Sequence, residues 1–250
     1  MAPVIAAGSS SAFDRVGFWS PHTASVDWCE SNYVVSFYIA EYVTGDSTGL
    51  GSTLFHGTLR HKMQLLDELP MLYSATMILF ILVEAKHGPQ GKWFPIALAT
   101  WIATTTVIFS AAADQLQFYT FQTTYTTLQF GMIYLLRDLH VQQRALHGPH
   151  PALSMLIRRA FASGFLAVTL WLIDLRLCEW VNGVSSRSFL KWNPQLHAWW
   201  HVFSACALYH ATMMIVYYHF DVKGQRPYVD QVFGCIPVIR LFHPKGKLAR

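Results

Sequence analysis

The sequence predicts an all-α, polytopic transmembrane bundle with five clear spans and one truncated helix. Hydrophobic residues make up 53% of the chain and charged residues only 13%, whereas soluble domains contain about a quarter charged residues. Breaker-rich loops, HGPQGK, HGPHP and NGVSSRS, separate the apolar segments. Five segments approach the roughly 20 apolar residues that a spanning helix needs; they are residues 69–85, 93–113, 118–136, 160–178 and 197–218.

The N-terminal third does not supply a spanning helix of its own. Residues 33–43 are apolar over too short a distance, and the polar stretch VTGDSTGLGS follows them. The next apolar stretch, TLFHGTL, ends at the basic residues Arg60, His61 and Lys62. We therefore expect a flexible N-terminal tail at 1–26, one transmembrane domain at 27–222 and a basic cytosolic tail at 223–250.

Basic residues indicate the orientation of the bundle. Twelve of the 18 Lys and Arg residues lie in three stretches, 86–92, 137–159 and 223–250. Alternating spans place all three on one side, which the positive-inside rule makes cytosolic, so the C-terminus is expected in the cytosol. The net charge of +4 is spread along the chain without a Lys/Arg block. Membrane lipids are therefore expected partners and nucleic acid is not.

Two histidines stand at the start of the last apolar segment, in the motif QLHAWWH. His197 and His201 are four residues apart, so they share one face of a helix and can present nitrogen atoms to one metal ion. A pair of hydrogen-bonded interfacial histidines is the alternative interpretation. His210 falls on another face, where it is expected to pack or to bond a neighbouring helix.

A second group of reactive side chains lies near residue 60. Ser52 and His56 have the same four-residue spacing, provided that this stretch is helical. Asp67 stands at an expected break before Pro70, which is suited to the first residue of the next helix. With the histidine pair, these residues supply three imidazoles, a carboxylate and a hydroxyl. Three imidazoles with an open water position form a recurring catalytic zinc site.

The motif DWCESNYVVSFYIAE concentrates oxygen-bearing side chains. Asp27, Glu30, Asn32 and Glu41 offer the hard ligands that Ca²⁺ prefers, although the spacing is not that of an EF-hand. Solvated acidic residues before an amphipathic helix are the alternative. Asp174, inside an expected span, is a candidate functional residue that a neighbouring Thr or Trp side chain would otherwise partner.

Four stretches of the chain, taken together, resemble the successive motifs of the alkaline ceramidase family, most closely its alkaline ceramidase 3 and alkaline phytoceramidase branch. They are GFWSPHTASVDWCESNYVVSFYIAEY, GSTLFHGTLRHKMQLLDELPMLYS, WLIDLRLCE and QLHAWWHVFSACALYH. The resemblance implies a seven-helix integral membrane amidase of the endoplasmic reticulum or Golgi. Such an enzyme acts in sphingolipid metabolism, cleaving ceramide to a sphingoid base and a fatty acid. No protein partner is implied.

The resemblance also assigns roles to the residues that match these motifs. It places zinc on His56, His197 and His201, with Ser52 and Asp67 as catalytic residues beside it. It places calcium on a lumenal site formed by Asp27, the Trp28 carbonyl, Glu30, Asn32 and Glu41. It pairs Cys29 with Cys178 in a lumenal disulfide, which suits an oxidising compartment, whereas Cys206 and Cys235 are read as packing residues.

One departure from the family pattern bears on activity. Between YIAEY and GSTLFHG the family carries a first transmembrane helix and part of a second, whereas this chain has only VTGDSTGL. A segment on the order of 30 residues is missing, judged against a span of about 20. A catalytically impaired isoform that binds sphingolipid or acts as a regulatory membrane protein is therefore the alternative to an active ceramidase.

Overall fold

The computed structural model describes residues 14–46, 49–112 and 114–242. Helices dominate these residues, which confirms the predicted all-α class. The helices are α1 (Tyr42–Asp46), α2 (Leu50–Thr58), α3 (His61–His87), α4 (Trp93–Ala111), α5 (Asp114–His147), α6 (Pro151–Val181) and α7 (Leu196–Val222). Two short strands follow, β1 (Pro227–Val232) and β2 (Ile236–Leu241).

Four of the five predicted spans lie within long helices, and the span at 93–113 coincides with α4 up to Ala111. Only some of these helices have the apolar character of a membrane span. Within the described residues, α3, α4 and α6 are long and apolar enough to cross a membrane. This criterion supports three of the five expected spans. The Thr and Gln residues of α5 and the four His residues of α7 interrupt the apolar segments of those helices.

The N-terminal half of α3 differs from the expected break at Pro70. The helix runs without interruption from His61 to His87, with Pro70 inside it. Because proline has no N–H, the carbonyl of Leu66 one turn earlier lacks its helical partner. Helix α2 packs at this point, since a Cβ added to Gly51 would lie only 2.6 Å from the Leu66 oxygen. Glycine at position 51 therefore allows the close approach of α2 to α3.

The chain reverses sharply between α2 and α3. Leu59 adopts a left-handed conformation with φ of 47°, which ends α2. Its carbonyl accepts hydrogen bonds from the N–H groups of Thr23 and Ala24, at 3.1 and 3.0 Å. Ser25 and the fully buried Gln64 exchange two further bonds of 2.8 and 2.7 Å. Residues 14–26 are thus held against the bundle, which corrects the expected flexible tail over that part. Residues 1–13 lie outside the described residues.

The expected C-terminal tail also contains regular structure. Strands β1 and β2 form an antiparallel hairpin with Pro227 opposite Leu241 and Val232 opposite Ile236. Val229 and Ile239 pack against the main hydrophobic core. Alternating apolar residues in both strands give the hairpin this buried face. The tail is corrected to a docked hairpin over its described part, and residues 243–250 lie outside that part.

Two hydrophobic clusters hold the molecule together. The larger lies between α3, α5, α6 and α7 and includes Leu72, Leu82, Leu128, Leu156 and Tyr218. The smaller lies at the opposite end, where α2, α5 and α6 meet the N-terminal segment, and includes Val26, Trp28, Phe55, Phe118 and Leu175. The smaller cluster therefore binds the N-terminal segment, residues 14–41, to the helix ends.

A disulfide links the N-terminal segment to α6. Cys29 and Cys178 are bonded, with Cα atoms 5.4 Å apart and a sequence separation of 149. Cross-links that close long loops restrict the unfolded chain strongly. The bond therefore fixes the N-terminal segment to α6 as well as stabilising the fold.

Replacing Cys178 with Ser is expected to lower stability by about 2–4 kcal/mol, because the unfolded chain regains the freedom that the cross-link removes. The measurement is the thermal unfolding midpoint with and without a reductant. Cys206→Ser is the matched control, since Cys206 is an exposed free thiol. Equal midpoints for Cys178→Ser and Cys206→Ser would contradict the prediction.

Candidate metal centre

Three histidines from two distant parts of the chain converge beneath the N-terminal segment. His56 comes from α2, and His197 and His201 come from the first turns of α7. One ligand nitrogen from each ring lies within 4.8 Å of the others. The Nε2 atoms of His56 and His201 are 3.3 Å apart. Two nitrogens that bind one tetrahedral zinc ion at about 2.0–2.1 Å would be separated by about the same distance.

The helical spacing in both segments explains this convergence. Helix α7 presents His197 and His201 from one face, with ring centroids 4.9 Å apart. The stretch around Ser52 is helical, as the pairing with His56 required. His56 and His197 are almost completely buried. The Nδ1 atom of His197 has no hydrogen-bond partner among the described residues, which suits a site that holds an ion.

A carboxylate fixes the ring of His56. The Nδ1 atom of His56 bonds Oε2 of Glu41, and both side chains are fully buried. A carboxylate on one ring nitrogen sets the tautomer and leaves the other nitrogen free for a metal. Because Glu41 was expected only as a calcium ligand, this contact adds a role that spacing did not indicate: orienting the ring of His56 from 15 residues away.

Aromatic rings fix the position of His197. Trp28 stacks on it with centroids 3.7 Å apart and planes inclined by 17°. Trp200 stacks against it at 5.0 Å. The backbone N–H of Trp28 donates a 2.8 Å hydrogen bond to Oε1 of Glu41. One carboxylate therefore contacts the ring of His56 and also the residue that covers His197.

Ser52 and Asp67 lie at the contact between α2 and α3. Ser52 is buried one turn from His56. The neighbouring Gly51 approaches the backbone of Asp67, whose Cα would be 3.6 Å from an added Cβ. Asp67 is half-buried. The close approach at Gly51 thus places a hydroxyl and a carboxylate on adjoining positions next to the histidine cluster.

The side chains expected to bind calcium lie in the N-terminal segment beside this cluster. Both oxygens of Asp27 accept hydrogen bonds from Nδ2 of Asn32, at 3.1 and 2.9 Å. The Oδ1 atom of Asn32 is buried without a hydrogen-bond partner among the described residues. Glu30 accepts bonds from the N–H groups of Val43 and Thr44, at 2.7 and 2.9 Å. The donor set is hard and oxygen-based, as a calcium ion requires.

Buried carboxyl groups lie close together in this region. Burial, and then the Glu41 carboxylate, raise the pKa of Asp27 well above its usual value. Burial, and then Glu30, raise the pKa of Glu41 in the same way. In the part of the chain that the structure describes, the histidine cluster is the one group of three His, Cys, Asp or Glu residues whose ligand atoms lie this close together. The carboxylates instead bond backbone N–H groups, Asn32 and His56.

Asp174 has a partner that sequence reasoning missed. Its Oδ2 atom accepts the N–H of Cys29 at 3.2 Å, in place of the expected Thr or Trp side chain. Asn193 donates its side-chain N–H to the carbonyl of the same Cys29. Together they clamp the residue after Trp28. No local signal identifies these contacts, because 145 and 164 residues separate the partners.

His210 is likewise partnered differently from expectation. Its Nδ1 atom lies 2.7 Å from the carbonyl oxygen of Cys206 in the same helix. The expected bond to a neighbouring helix is therefore replaced by a bond to the preceding turn. His210 takes no part in the histidine cluster.

Comparison with known proteins connects this site to a family. A family model described as Ceramidase matches residues 47–240. The chain is 28% identical to mouse alkaline ceramidase 3, covering 94% of this chain and 98% of that protein. It is 28% identical to alkaline ceramidase YPC1 of Saccharomyces cerevisiae over 77% of this chain and 76% of that one. It is 24% identical to an alkaline ceramidase of Arabidopsis thaliana, over 91% of this chain and 96% of that protein.

The alignment with the mouse protein includes positions that this chain lacks. It extends over 278 positions, whereas this chain has 250 residues. The mouse protein therefore contains positions that have no counterpart here. The resemblance that the four motifs indicated is confirmed, and the chain belongs to the ceramidase family.

Proposed function

We propose that this chain is a zinc-dependent membrane amidase that hydrolyses ceramide to a sphingoid base and a fatty acid. As a member of the ceramidase family it is a hydrolase of amide C–N bonds. The observation that carries the finer proposal is the cluster of His56, His197 and His201, whose ligand atoms lie within 4.8 Å of one another. Its relatives are named alkaline ceramidases, which favours ceramide as the substrate.

The three histidines would hold zinc through one nitrogen each. Two features of the cluster fit this ion. Glu41 bonds Nδ1 of His56 and leaves Nε2 of that ring available to a metal. Nδ1 of His197 has no hydrogen-bond partner among the described residues. Three imidazoles leave a fourth position open for water or substrate. A zinc ion at such a site supplies a water of lowered pKa and polarises a carbonyl oxygen.

The remaining chemistry belongs to Asp67 and Ser52. The Asp67 carboxylate accepts a proton from the attacking water as the new C–O bond forms. It then passes that proton to the amide nitrogen as the C–N bond breaks, so the sphingoid base leaves as an amine. The Ser52 hydroxyl donates a hydrogen bond to the oxygen on which negative charge develops. Their adjoining positions on α2 and α3 support these roles.

A membrane location follows from the substrate and from the helices. Ceramide resides in bilayers, and α3, α4 and α6 are long and apolar enough to span one. An apolar chamber between the helices would hold the acyl and sphingoid chains. The basic ends of α3, α5 and α7 favour a cytosolic C-terminus. With the disulfide on the opposite side, this orientation suits the endoplasmic reticulum or Golgi.

A calcium ion in the N-terminal segment is the second cofactor that we propose. Asp27, Glu30, Asn32, Glu41 and the Trp28 carbonyl would bind it. The unpartnered Oδ1 of Asn32 and the concentration of carboxylates support a cation there. By neutralising those carboxylates it would stabilise the segment that covers His197.

Replacing His201 with Ala is expected to remove both zinc and turnover, because two imidazoles do not complete the metal site. Hydrolysis of an unsaturated long-chain ceramide at alkaline pH and zinc content are measured on the same purified protein. His210→Ala is the matched control on the same helix, since His210 bonds its own backbone. Zinc in the native chain without turnover would contradict the amidase and favour the alternative, a sphingolipid-binding or regulatory isoform.

Asp67→Asn is expected to retain zinc and to lower kcat by about 10²–10⁴-fold, because the amide cannot accept the proton of water. Ser52→Ala should lower kcat by about 10²–10³-fold, again with zinc retained. Both variants are assayed for zinc content and for kcat and KM separately. A rise in KM with unchanged kcat would assign these residues to substrate binding instead.

Calcium is expected to raise the thermal unfolding midpoint of the native chain. A ligand at 100 times its Kd stabilises a protein by about 2.7 kcal/mol. Asp27→Asn should reduce that increase by at least half, because it removes a charged ligand. Glu179→Gln is the control, since Glu179 forms an exposed ion pair with Arg187. The calcium site is rejected if calcium leaves the native midpoint unchanged.

A further inference from the structure

We propose that the turn of the C-terminal hairpin docks into the boundary between headgroups and acyl chains of the membrane leaflet on the side where α6 begins. This inference rests on the membrane location proposed above. The turn consists of Val232, Phe233, Gly234 and Cys235, and the N–H of Cys235 bonds the carbonyl of Val232 at 3.3 Å. Phe233 is 90% exposed, more than any other large hydrophobic side chain in the described residues.

Contacts with α6 fix the level of the turn along the bundle. Nη1 of Arg159 donates a 3.1 Å hydrogen bond to the carbonyl of Cys235. Nε2 of Gln231 lies 3.5 Å from the sulfur of Met155. Met155 and Arg159 belong to the first three turns of α6, just before the apolar segment 160–178. The turn is therefore placed where the apolar surface of α6 starts.

The hairpin is attached firmly enough to hold the turn in that position. Val229 and Ile239 pack into the main core. The hydroxyl of Tyr209 on α7 donates a 2.7 Å hydrogen bond to the carbonyl of Pro237. Three independent contacts, with the core, α6 and α7, thus fix the strands. The exposed ring of Phe233 is a permanent feature of this surface and not the end of a loose tail.

The backbone of the turn is unfavourable for the residue that it presents. Phe233 has φ of 52° and Gly234 has φ of 73°. Two left-handed residues in succession are typical of a type I′ turn, where Asn, Asp or Gly is preferred at the first position. A bulky aromatic residue is an outlier there. Because solvent exposure gives Phe233 no compensating burial, a contact outside the protein accounts for the residue.

The chemistry around the turn favours lipid as that contact. Ile236, also exposed, adds apolar surface beside Phe233. Exposed basic side chains lie at the same end of the bundle, on Arg158, Lys223 and Arg226, where they would attract anionic headgroups. Aromatic residues are enriched at the membrane interface. The strand edges of the hairpin carry unpaired backbone groups, which cannot be buried in the hydrocarbon interior. The membrane interface is therefore the depth at which this turn fits.

The exposed thiols allow a direct test in the full-length chain. Cys235 is labelled with the environment-sensitive dye NBD in a Cys206→Ser background, and Cys206 is labelled in a Cys235→Ser background. Each protein is placed in nanodiscs that contain phosphatidylcholine and phosphatidylserine. Quenching is measured with nitroxides on lipid headgroups, with nitroxides on acyl chains and with iodide in the aqueous phase. Phe233→Asp and Phe233→Leu are each compared at the Cys235 position.

We expect headgroup nitroxides to quench the dye at Cys235 and iodide to quench it weakly. Phe233→Asp should reduce the nitroxide quenching at least twofold, whereas Phe233→Leu should preserve it. A dye at Cys235 that iodide quenches as strongly as free dye overturns the proposal. Protection from both quenchers would identify a protein contact and overturn it equally. If the dye on Cys206, in the expected span at 197–218, is also open to iodide, that span lies outside the bilayer and the helix arrangement on which this proposal rests fails.

Discussion

The hydrogen bond between Glu41 and His56 is the contact on which the arrangement of the site depends. It joins the N-terminal segment to α2 in a place where both side chains are fully buried. A buried carboxylate is costly unless it is paired and hydrogen-bonded. Glu41 meets this requirement with two partners: one carboxylate oxygen bonds His56, and the other accepts the backbone N–H of Trp28. Trp28 in turn stacks on His197. The Glu41 carboxylate therefore connects His56 of α2, through Trp28, to His197 of α7.

This arrangement explains how a short helix can hold one histidine of the cluster in position. Helix α2 has only nine residues, and isolated helices of that length are marginal in water. Its contacts compensate: Gly51 approaches the free carbonyl of Leu66, Phe55 is buried in the smaller cluster, and Leu59 ends the helix in a left-handed turn that binds the N-terminal segment. These contacts, together with the bond from Glu41, hold the ring of His56 in place on a helix of this length.

The sequence was informative where function depends on local periodicity. A four-residue spacing places His197 with His201, and Ser52 with His56, on one helical face, and both pairs are found on helices. Hydrophobic content predicted the all-α class and the positions of the long helices. Pro70 was expected to begin a helix but lies inside α3. The prediction was wrong because a proline in the sequence can mark a helix start or stand within a helix whose packing tolerates it. The partners of Asp174 and the docked hairpin were missed because they depend on residues more than 70 positions away.

The N-terminal segment has a function in this chain that its composition alone does not reveal. Its carboxylates appear solvated and acidic in the sequence, yet Asp27, Glu30 and Glu41 are all directed to partners within the protein. Gln64, Asp174 and Asn193 hold its backbone from three different elements, and Cys29 ties it covalently to α6. A cover fixed at so many points positions the rings beneath it, because any displacement of Trp28 would move the ring stacked on His197. The segment is therefore better described as a wall of the histidine cluster than as a tail attached to a bundle.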